Sequence, residues 1–155
     1  MPPRTPFEPR LIVFDLDGTL IQDPSVWELV HRRRGTWESH GLPYWQQFCR
    51  GEMDYDTFAC RDVACWAGLP RAEVAAAIGS VTLAAGMAAM DHYIRGRGLT
   101  VAVVSHGLAP AAEHVRRVLP VDHIHANRLV FDDSDCLTGE LEIAVPWGTK
   151  GEVVR

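Results

Sequence analysis

The sequence has no long apolar run and no excess of basic residues. It has 15 Lys and Arg against 20 Asp and Glu, which gives a net charge of -5 at pH 7. Because nucleic-acid binding usually needs a basic face, this balance argues against a nucleic-acid partner. No apolar run approaches the roughly 18 residues that a membrane-spanning helix needs. We therefore expect neither a nucleic-acid nor a membrane partner.

Cysteine is scarce, and its spacing is irregular. The four cysteines are Cys49, Cys60, Cys65 and Cys136, with no Cys-x-x-Cys pair. This spacing is typical of scattered reduced thiols rather than of a disulfide framework or a zinc site. The first ten residues hold four prolines and no apolar core, unlike a secretory signal peptide. We therefore expect a cytoplasmic protein.

The most informative segment is Leu-Ile-Val-Phe-Asp-Leu-Asp-Gly-Thr-Leu at residues 11–20. Residues 11–14 predict a short buried strand, and Asp15 and Asp17 follow at its carboxyl end, where ligands bind in open α/β sheets. Gly18 lets the backbone turn close to a ligand. Two carboxylates this close repel each other unless a cation or a shared proton relieves them. The segment therefore indicates a divalent-cation site in which one carboxylate can act as a nucleophile.

Strands alternate with helices along the chain, which predicts an α/β fold with a mostly parallel sheet. The strands predicted after the first are 99–104, 123–131 and 137–145. Between them and the first strand lies a long helical stretch that is rich in aromatic residues. The predicted units are an extended or disordered segment over 1–10, a core over 11–22 and 84–155, and a helical insertion over 23–83.

Four polar side chains fit phosphoryl transfer when they are taken together. Asp15 can attack phosphorus as a carboxylate, and Asp17 is near enough to protonate a leaving alkoxide and later deprotonate water. Ser105 follows the second strand and offers a hydroxyl to a phosphate oxygen, while Lys150 adds a positive charge. A magnesium ion beside the carboxylates would offset the charge of the phosphate. Each feature alone is common, and only the combination indicates this chemistry.

The same residues resemble motifs of a known superfamily. Residues 15–20 (Asp-Leu-Asp-Gly-Thr-Leu), 103–105 (Val-Val-Ser) and 150–151 (Lys-Gly) resemble the first three motifs of the haloacid dehalogenase superfamily. The phosphoserine phosphatase-like branch is similar in order and approximate spacing over 101–107, 126–129, 137–139 and 150–152. The helical insertion resembles the cap of that branch. The resemblance implies a Rossmann-like core with a small helical cap after the first strand.

The resemblance also implies an activity. It implies a magnesium-dependent phosphomonoester hydrolase that acts through a phosphoaspartate on a small phosphorylated metabolite. By position, Asp15 is the nucleophile and a magnesium ligand, and Asp17 is the acid/base, which also offers the metal its backbone carbonyl. His106 stands where the branch often has glycine, and its ring either approaches the substrate or faces solvent. The phosphate-binding groups implied in this way are Ser105, Lys150 and the backbone amides around Leu16 and Gly18.

Two departures from the branch concern the substrate. Phosphoserine phosphatases carry an acidic residue nine positions after the nucleophile, which recognises the amino group, and here that position is Pro24. Their carboxylate-binding arginine would align near Asp62. Without these partners the charged ends of a zwitterionic amino acid would be unpaired, which argues against phosphoserine as the substrate. The candidates for a substrate pocket that differs from that of phosphoserine phosphatases are Trp27, Tyr55, Arg61, Asp62 and Trp66. For the aromatic residues among them, ordinary packing in the core of the cap is the alternative.

The fourth motif of the superfamily, an acidic cluster such as Gly-Asp-x-x-x-Asp, does not occur before Arg155. We therefore expect an incomplete core that lacks its C-terminal strands. Residues 11–14 would then form an exposed apolar edge through which the chain could associate with itself. Two other functions stay open: a catalytically incomplete module that binds a partner, and a phosphotransferase that uses an alcohol as acceptor.

Overall fold

The computed structural model describes residues 8–22 and 24–154. Most of the predicted N-terminal segment, residues 1–7, lies outside the described residues. None of the described helices is long and apolar enough to cross a membrane. The elements in chain order are β1 (Leu11–Phe14), α1 (Val26–Arg34), a π-helical turn (Trp37–Gly41), α2 (Leu42–Cys49), α3 (Tyr55–Ala64), α4 (Arg71–Gly79), α5 (Met87–Arg97), β2 (Thr100–Leu108), α6 (Ala109–Val115), β3 (His123–Phe131), β4 (Leu137–Glu142) and α7 (Lys150–Val153).

The four described strands form one open sheet in the order β1-β2-β3-β4. β1 pairs parallel with β2, and β2 pairs parallel with β3, whereas β4 returns antiparallel to β3. The predicted α/β fold with a mostly parallel sheet is therefore confirmed. Because Phe14 pairs with Val103, the residues that follow β1 meet the C-terminal part of β2 at one edge of the sheet.

The strand β1 lies at an edge of the described sheet. Leu11 and Val13 are 44% and 37% exposed, while Ile12 and Phe14 are half-buried. The prediction that these four residues form a buried strand is wrong, because β1 has a hydrogen-bonded neighbour on one side and its outer face lacks a covering layer among the described residues. The prediction of an exposed apolar edge is confirmed.

Helices α1 to α4 and the π-helical turn form the helical insertion between β1 and β2. α1 begins after Ser25, whose hydroxyl accepts a hydrogen bond from the Glu28 amide at 3.3 Å. It ends at Gly35, where a φ of 77° closes the helix in the left-handed conformation that glycine adopts easily. Pro24 stands before Ser25, the residue that caps the N-terminus of α1.

The helical insertion and the sheet share a single hydrophobic cluster. Val26 and Trp66 of the insertion belong to it, as do Val101 and Leu108 of β2. α3 packs against β4, and α6 packs against β3. The insertion is therefore held over the carboxyl end of β2, where Ser105 lies.

Candidate active site

The ends of β1 and β2 bring an acidic and a basic side chain into contact. Lys150, at the start of α7, places its Nζ 2.7 Å from Asp15 Oδ1. The backbone N–H of Leu16 donates to the same oxygen at 2.7 Å. Asp15 remains 44% exposed as a side chain, so one of its oxygens is fixed by two donors while the carboxylate stays open to a ligand.

Gly107 allows Asp17 and Ser105 to lie close to the backbone of β2. A Cβ on Gly107 would stand 2.5 Å from Asp17 Oδ2 and 3.1 Å from Ser105 Oγ. The Gly107 amide donates to Ser105 Oγ at 2.9 Å. On its other side, Asp17 Oδ1 accepts a long hydrogen bond of 3.4 Å from the Val26 amide at the start of α1. The second carboxylate is thus held between β2 and the helical insertion.

The turn after β1 uses the two amides that the resemblance assigns to phosphate binding. Gly18, at a φ of 76°, donates its N–H to the Ile21 carbonyl at 2.8 Å. The Leu16 N–H is bonded to Asp15, as described above. Both amides already have acceptors in this structure, so a phosphate would have to replace these hydrogen bonds in order to use them.

The side chains at this edge of the sheet offer oxygen atoms, which are the ligands that magnesium prefers. Magnesium sites commonly use one or two carboxylates and complete their coordination with other oxygens, water and phosphate among them. Asp15 offers one carboxylate, and the resemblance implies the backbone carbonyl of Asp17 as a second oxygen donor. Across residues 8–22 and 24–154, no group of three or more His, Cys, Asp or Glu side chains could hold a metal ion. Asp15 and Asp17 thus fit magnesium only in the chemistry of their oxygen donors.

A cavity of about 670 Å³ joins this acidic edge to the helical insertion. Its volume lies in the range of small-molecule binding sites. Asp15, Asp17, Ser105 and Lys150 line one part of it, and aromatic rings line much of the remainder. The aromatic lining residues are Trp27, Trp37, Trp45, Phe48, Tyr55, Phe58 and Trp147.

His106 lies in the wall of the cavity. Its ring centroid is 4.6 Å from that of Trp147, and its Nε2 is buried without a hydrogen-bond partner among the described residues. Burial lowers the pKa of His106, and the charge of Lys150 lowers it further. The ring of His106 thus lines the cavity and is half-buried, rather than facing bulk solvent.

Asn127 of β3 connects three parts of the site. Its Nδ2 donates to the Tyr55 hydroxyl at 2.7 Å and to the His106 carbonyl at 2.8 Å. The Tyr55 hydroxyl in turn donates to the same carbonyl. Asn127 Oδ1 accepts from the amides of Ala144 and Val145 at 3.0 and 3.3 Å. This fully buried amide therefore fixes Tyr55 of α3 against the end of β2.

His31 and Asp62 form a buried pair beside the cavity. The distance from His31 Nε2 to Asp62 Oδ1 is 3.1 Å, although the two atoms are not aligned as a hydrogen bond. His31 Nδ1 lies 2.8 Å from Thr36 Oγ1. Burial raises the pKa of the Asp62 carboxyl, and the neighbouring His31 partly opposes this rise. Asp62 is 1% exposed and contributes to the cavity wall.

The structure brings most of the predicted site residues to one cavity. Arg61 is not among its lining residues, and its guanidinium lies 5.8 Å from the ring centroid of Tyr44. Leu16 and Trp66 are fully buried in the hydrophobic cluster and also do not line the cavity. The predicted residues that line it are Asp15, Asp17, Gly18, Trp27, Tyr55, Asp62, Ser105, His106 and Lys150.

Several residues of this site were missed in the sequence. Asn127 lies within residues 126–129, which resemble the branch, but the sequence analysis predicts no role in the site for it. Trp147 and Phe48 gave no such signal, since a single aromatic residue is more often part of a core. Their association depends on contacts across the chain, such as the edge-to-face contact of Phe48 and Trp147 at 5.0 Å.

Comparison with known proteins identifies the family. The model of the haloacid dehalogenase-like hydrolase family matches residues 12–154. The chain therefore belongs to the haloacid dehalogenase-like hydrolase family. Comparison with individual proteins supports the phosphoserine phosphatase-like branch of that family.

Two relatives and one solved structure illustrate this similarity. The chain is 32% identical to a Schizosaccharomyces pombe protein called "Probable phosphoserine phosphatase", over 94% of the chain and 49% of that protein. It is 30% identical to the phosphoserine phosphatase of Methanocaldococcus jannaschii, over 94% of the chain and 68% of the relative. A structure titled as a phospho-aspartyl intermediate analogue of phosphoserine phosphatase superposes with a TM-score of 0.74 at 29% identity, covering 88% of this chain and 64% of that one. The chain thus spans about half the length of the first of these relatives.

Proposed function

We propose that Asp15, Asp17, Ser105 and Lys150 form the catalytic site of a phosphomonoester hydrolase. The enzyme acts through a phosphoaspartate on a small phosphorylated metabolite. The observation that carries the proposal is the contact of Lys150 with Asp15 at 2.7 Å, at the sheet edge that also holds Asp17 and Ser105. The similarity to phosphoserine phosphatases supports the reaction class.

The first chemical step forms the phosphoenzyme. Asp15 attacks phosphorus through a carboxylate oxygen, and the bond between phosphorus and the ester oxygen breaks. The leaving alkoxide takes a proton from the carboxylic acid of Asp17. In the second step Asp17 removes a proton from water, the water oxygen attacks phosphorus, and the bond to Asp15 breaks. Phosphate leaves, and both side chains return to their starting protonation states.

Ser105 and Lys150 bind the transferring phosphoryl group in this proposal. The Ser105 hydroxyl, positioned by the Gly107 amide, donates to one phosphate oxygen. Lys150 neutralises charge on the phosphate and orients the Asp15 carboxylate. Asp15, through its carboxylate, and Asp17, through its backbone carbonyl, would hold a magnesium ion, which would supply further positive charge to the phosphate oxygens.

We infer that the helical insertion, predicted over residues 23–83, acts as a cap on this site. It contributes aromatic residues to the cavity wall, and Tyr55 ties it to the end of β2 through Asn127. A cap that opens and closes would admit the substrate and then exclude bulk water during phosphoryl transfer.

The proposal is tested with the product of the complete reading frame that contains this chain. We expect hydrolysis of an aryl phosphate that depends on added magnesium and is abolished in Asp15→Asn. Gly79→Ala is the matched control, because a Cβ at that position meets nothing within 4 Å. Undiminished turnover in Asp15→Asn would overturn the mechanism, and no turnover with any phosphomonoester would overturn the function.

We also propose a cytoplasmic setting for this enzyme. All four cysteines are free thiols in the structure, and Cys49 and Cys60 are exposed. Exposed thiols persist where the compartment is reducing. Fractionation of cells that express the tagged protein would check this prediction.

A further inference from the structure

We propose that the alcohol released from the phosphate ester carries a cationic ammonium head, and that a methylated ammonium fits the cavity best. This inference rests on the proposed phosphatase function and specifies its substrate class. It is carried by the part of the cavity that lies away from Asp15, where acidic and aromatic side chains line the wall.

The charges along the cavity are unevenly distributed. Lys150 is the single lysine or arginine among the described lining residues, and it is engaged with Asp15. Away from the phosphate end, the wall contains two carboxylates, Glu28 and Asp62. A leaving group with its own carboxylate would therefore meet negative charge without a cationic partner. A positively charged leaving group would meet complementary charge.

Asp62 is the deeper of the two carboxylates. It is 1% exposed, and its Oδ1 lies 3.1 Å from His31 Nε2 without an aligned hydrogen bond. Glu28 lies nearer to solvent and is paired with Arg32 at 2.7 Å. A buried carboxylate that is incompletely hydrogen-bonded gains from a nearby positive charge. Asp62 is therefore the side chain that we expect to favour a cation in this part of the cavity.

Aromatic rings favour a methylated cation over a primary ammonium. Trp27, Trp37, Trp45 and Phe58 line the cavity together with Asp62. Ring faces attract cations without accepting conventional hydrogen bonds, and groups of them bind quaternary ammonium ions in other proteins. A primary ammonium needs three hydrogen-bond acceptors, whereas a trimethylammonium needs none. The combination of several rings with one buried carboxylate matches the methylated head.

The main experiment compares two esters of nearly the same shape with the complete reading-frame product. Phosphocholine carries a trimethylammonium group, and 3,3-dimethylbutyl phosphate replaces its nitrogen with carbon. We expect kcat/KM for phosphocholine to exceed that of the neutral ester by about tenfold or more, and to exceed that of phosphoserine by a larger factor. Equal rates for the two esters, or a preference for phosphoserine, would overturn the proposal.

Two variants test whether residues of the cavity cause the preference for phosphocholine over the neutral ester. Asp62→Asn should reduce the ratio of kcat/KM for phosphocholine to kcat/KM for the neutral ester. Because replacing the buried Asp62 also perturbs the core, Trp45→Leu serves as a second variant. Trp45 lines the cavity yet is half-exposed. Tyr93→Leu removes an exposed ring of α5 outside the cavity and is the control. A ratio unchanged in both cavity variants would contradict the assignment.

A binding measurement separates this proposal from the proposed function. Choline and 3,3-dimethylbutanol are titrated against the protein without any phosphate, with tryptophan fluorescence as the signal. We expect choline to bind more tightly, and Asp62→Asn or Trp45→Leu to remove the difference. Failure of aryl phosphate hydrolysis with choline binding intact would overturn the function alone, whereas hydrolysis without choline selectivity would overturn the substrate class alone.

Discussion

At the residue scale, Gly107 sets how closely the end of β2 approaches Asp17. A Cβ there would meet Asp17 Oδ2 at 2.5 Å, and this carboxylate can give way only by leaving its position beside Ser105. We predict that Gly107→Ala lowers kcat by about a hundredfold or more, because small displacements of catalytic groups are costly. Steady-state kinetics with an aryl phosphate check this. Gly96→Ala in α5, where a Cβ meets nothing within 4 Å, should retain activity.

A second prediction at the residue scale concerns how His106 changes the free energy of unfolding as pH falls. Burial and Lys150 lower the pKa of His106 in the folded chain, while the unfolded side chain has a pKa near 6.5. As pH falls below about 6.5, the unfolded chain takes up a proton that the folded chain binds less readily, so unfolding becomes easier. Urea unfolding at several pH values should show His106→Gln losing less stability than the wild type between neutral pH and pH 5.5. Parallel stability profiles would contradict the assigned shift.

At the scale of elements, Asn127 holds α3, β2 and β3 together. Its removal leaves the Ala144 and Val145 amides without their acceptor. It also takes a donor away from the Tyr55 hydroxyl and from the His106 carbonyl, which keep only the hydrogen bond to each other. We predict that Asn127→Leu lowers the free energy of unfolding by about 2 to 4 kcal/mol, since each buried unsatisfied group costs about 1 to 3 kcal/mol. Chemical denaturation checks this value. Thr138→Val, which removes an exposed hydroxyl of β4, should cost much less.

The strands were largely predictable from the sequence, but the end of β2 and the exposure of β1 were not. The strand over 123–131 coincides with β3, because the turn residues at 132–135 define its C-terminal end locally. β2 continues through Ser105 to Leu108, beyond the predicted end at 104, since pairing with β3 and burial extend it past the apolar run. The outer face of β1 is exposed because its burial depends on a neighbour that its own residues do not specify.

At the scale of the whole molecule, the open edge of the described sheet predicts self-association of the 155-residue chain. Leu11 and Val13 expose apolar side chains beside unpaired backbone groups of β1. We predict concentration-dependent association in sedimentation velocity, which Val13→Lys should reduce because a charged edge strand resists pairing. Val118→Lys alters an exposed valine outside the sheet and should leave association unchanged. Association that Val13→Lys does not reduce would show that another surface is responsible.

The polar half of the candidate site could be anticipated from the sequence, whereas the aromatic half could not. Asp15 and Asp17 follow the apolar run of β1, and Ser105 follows the apolar run of β2. Parallel pairing of the two strands brings such positions to one edge of the sheet. Trp45 and Trp147 reach the cavity through helix packing and a loop near the C-terminal end of the described chain. No local pattern specifies those contacts, because they depend on how the helical insertion sits over the sheet.

The proposed chemistry requires a covalent bond between Asp15 and phosphorus, and this bond can be sought directly. The complete reading-frame product is mixed with magnesium and an aryl phosphate, quenched in acid and analysed by peptide mass spectrometry. The proposal predicts a phosphoryl adduct on the peptide that contains Asp15 in the wild type, and none in Asp15→Asn, which should also be inactive. Steady turnover in the wild type with no adduct, together with retained turnover in Asp15→Asn, would contradict it.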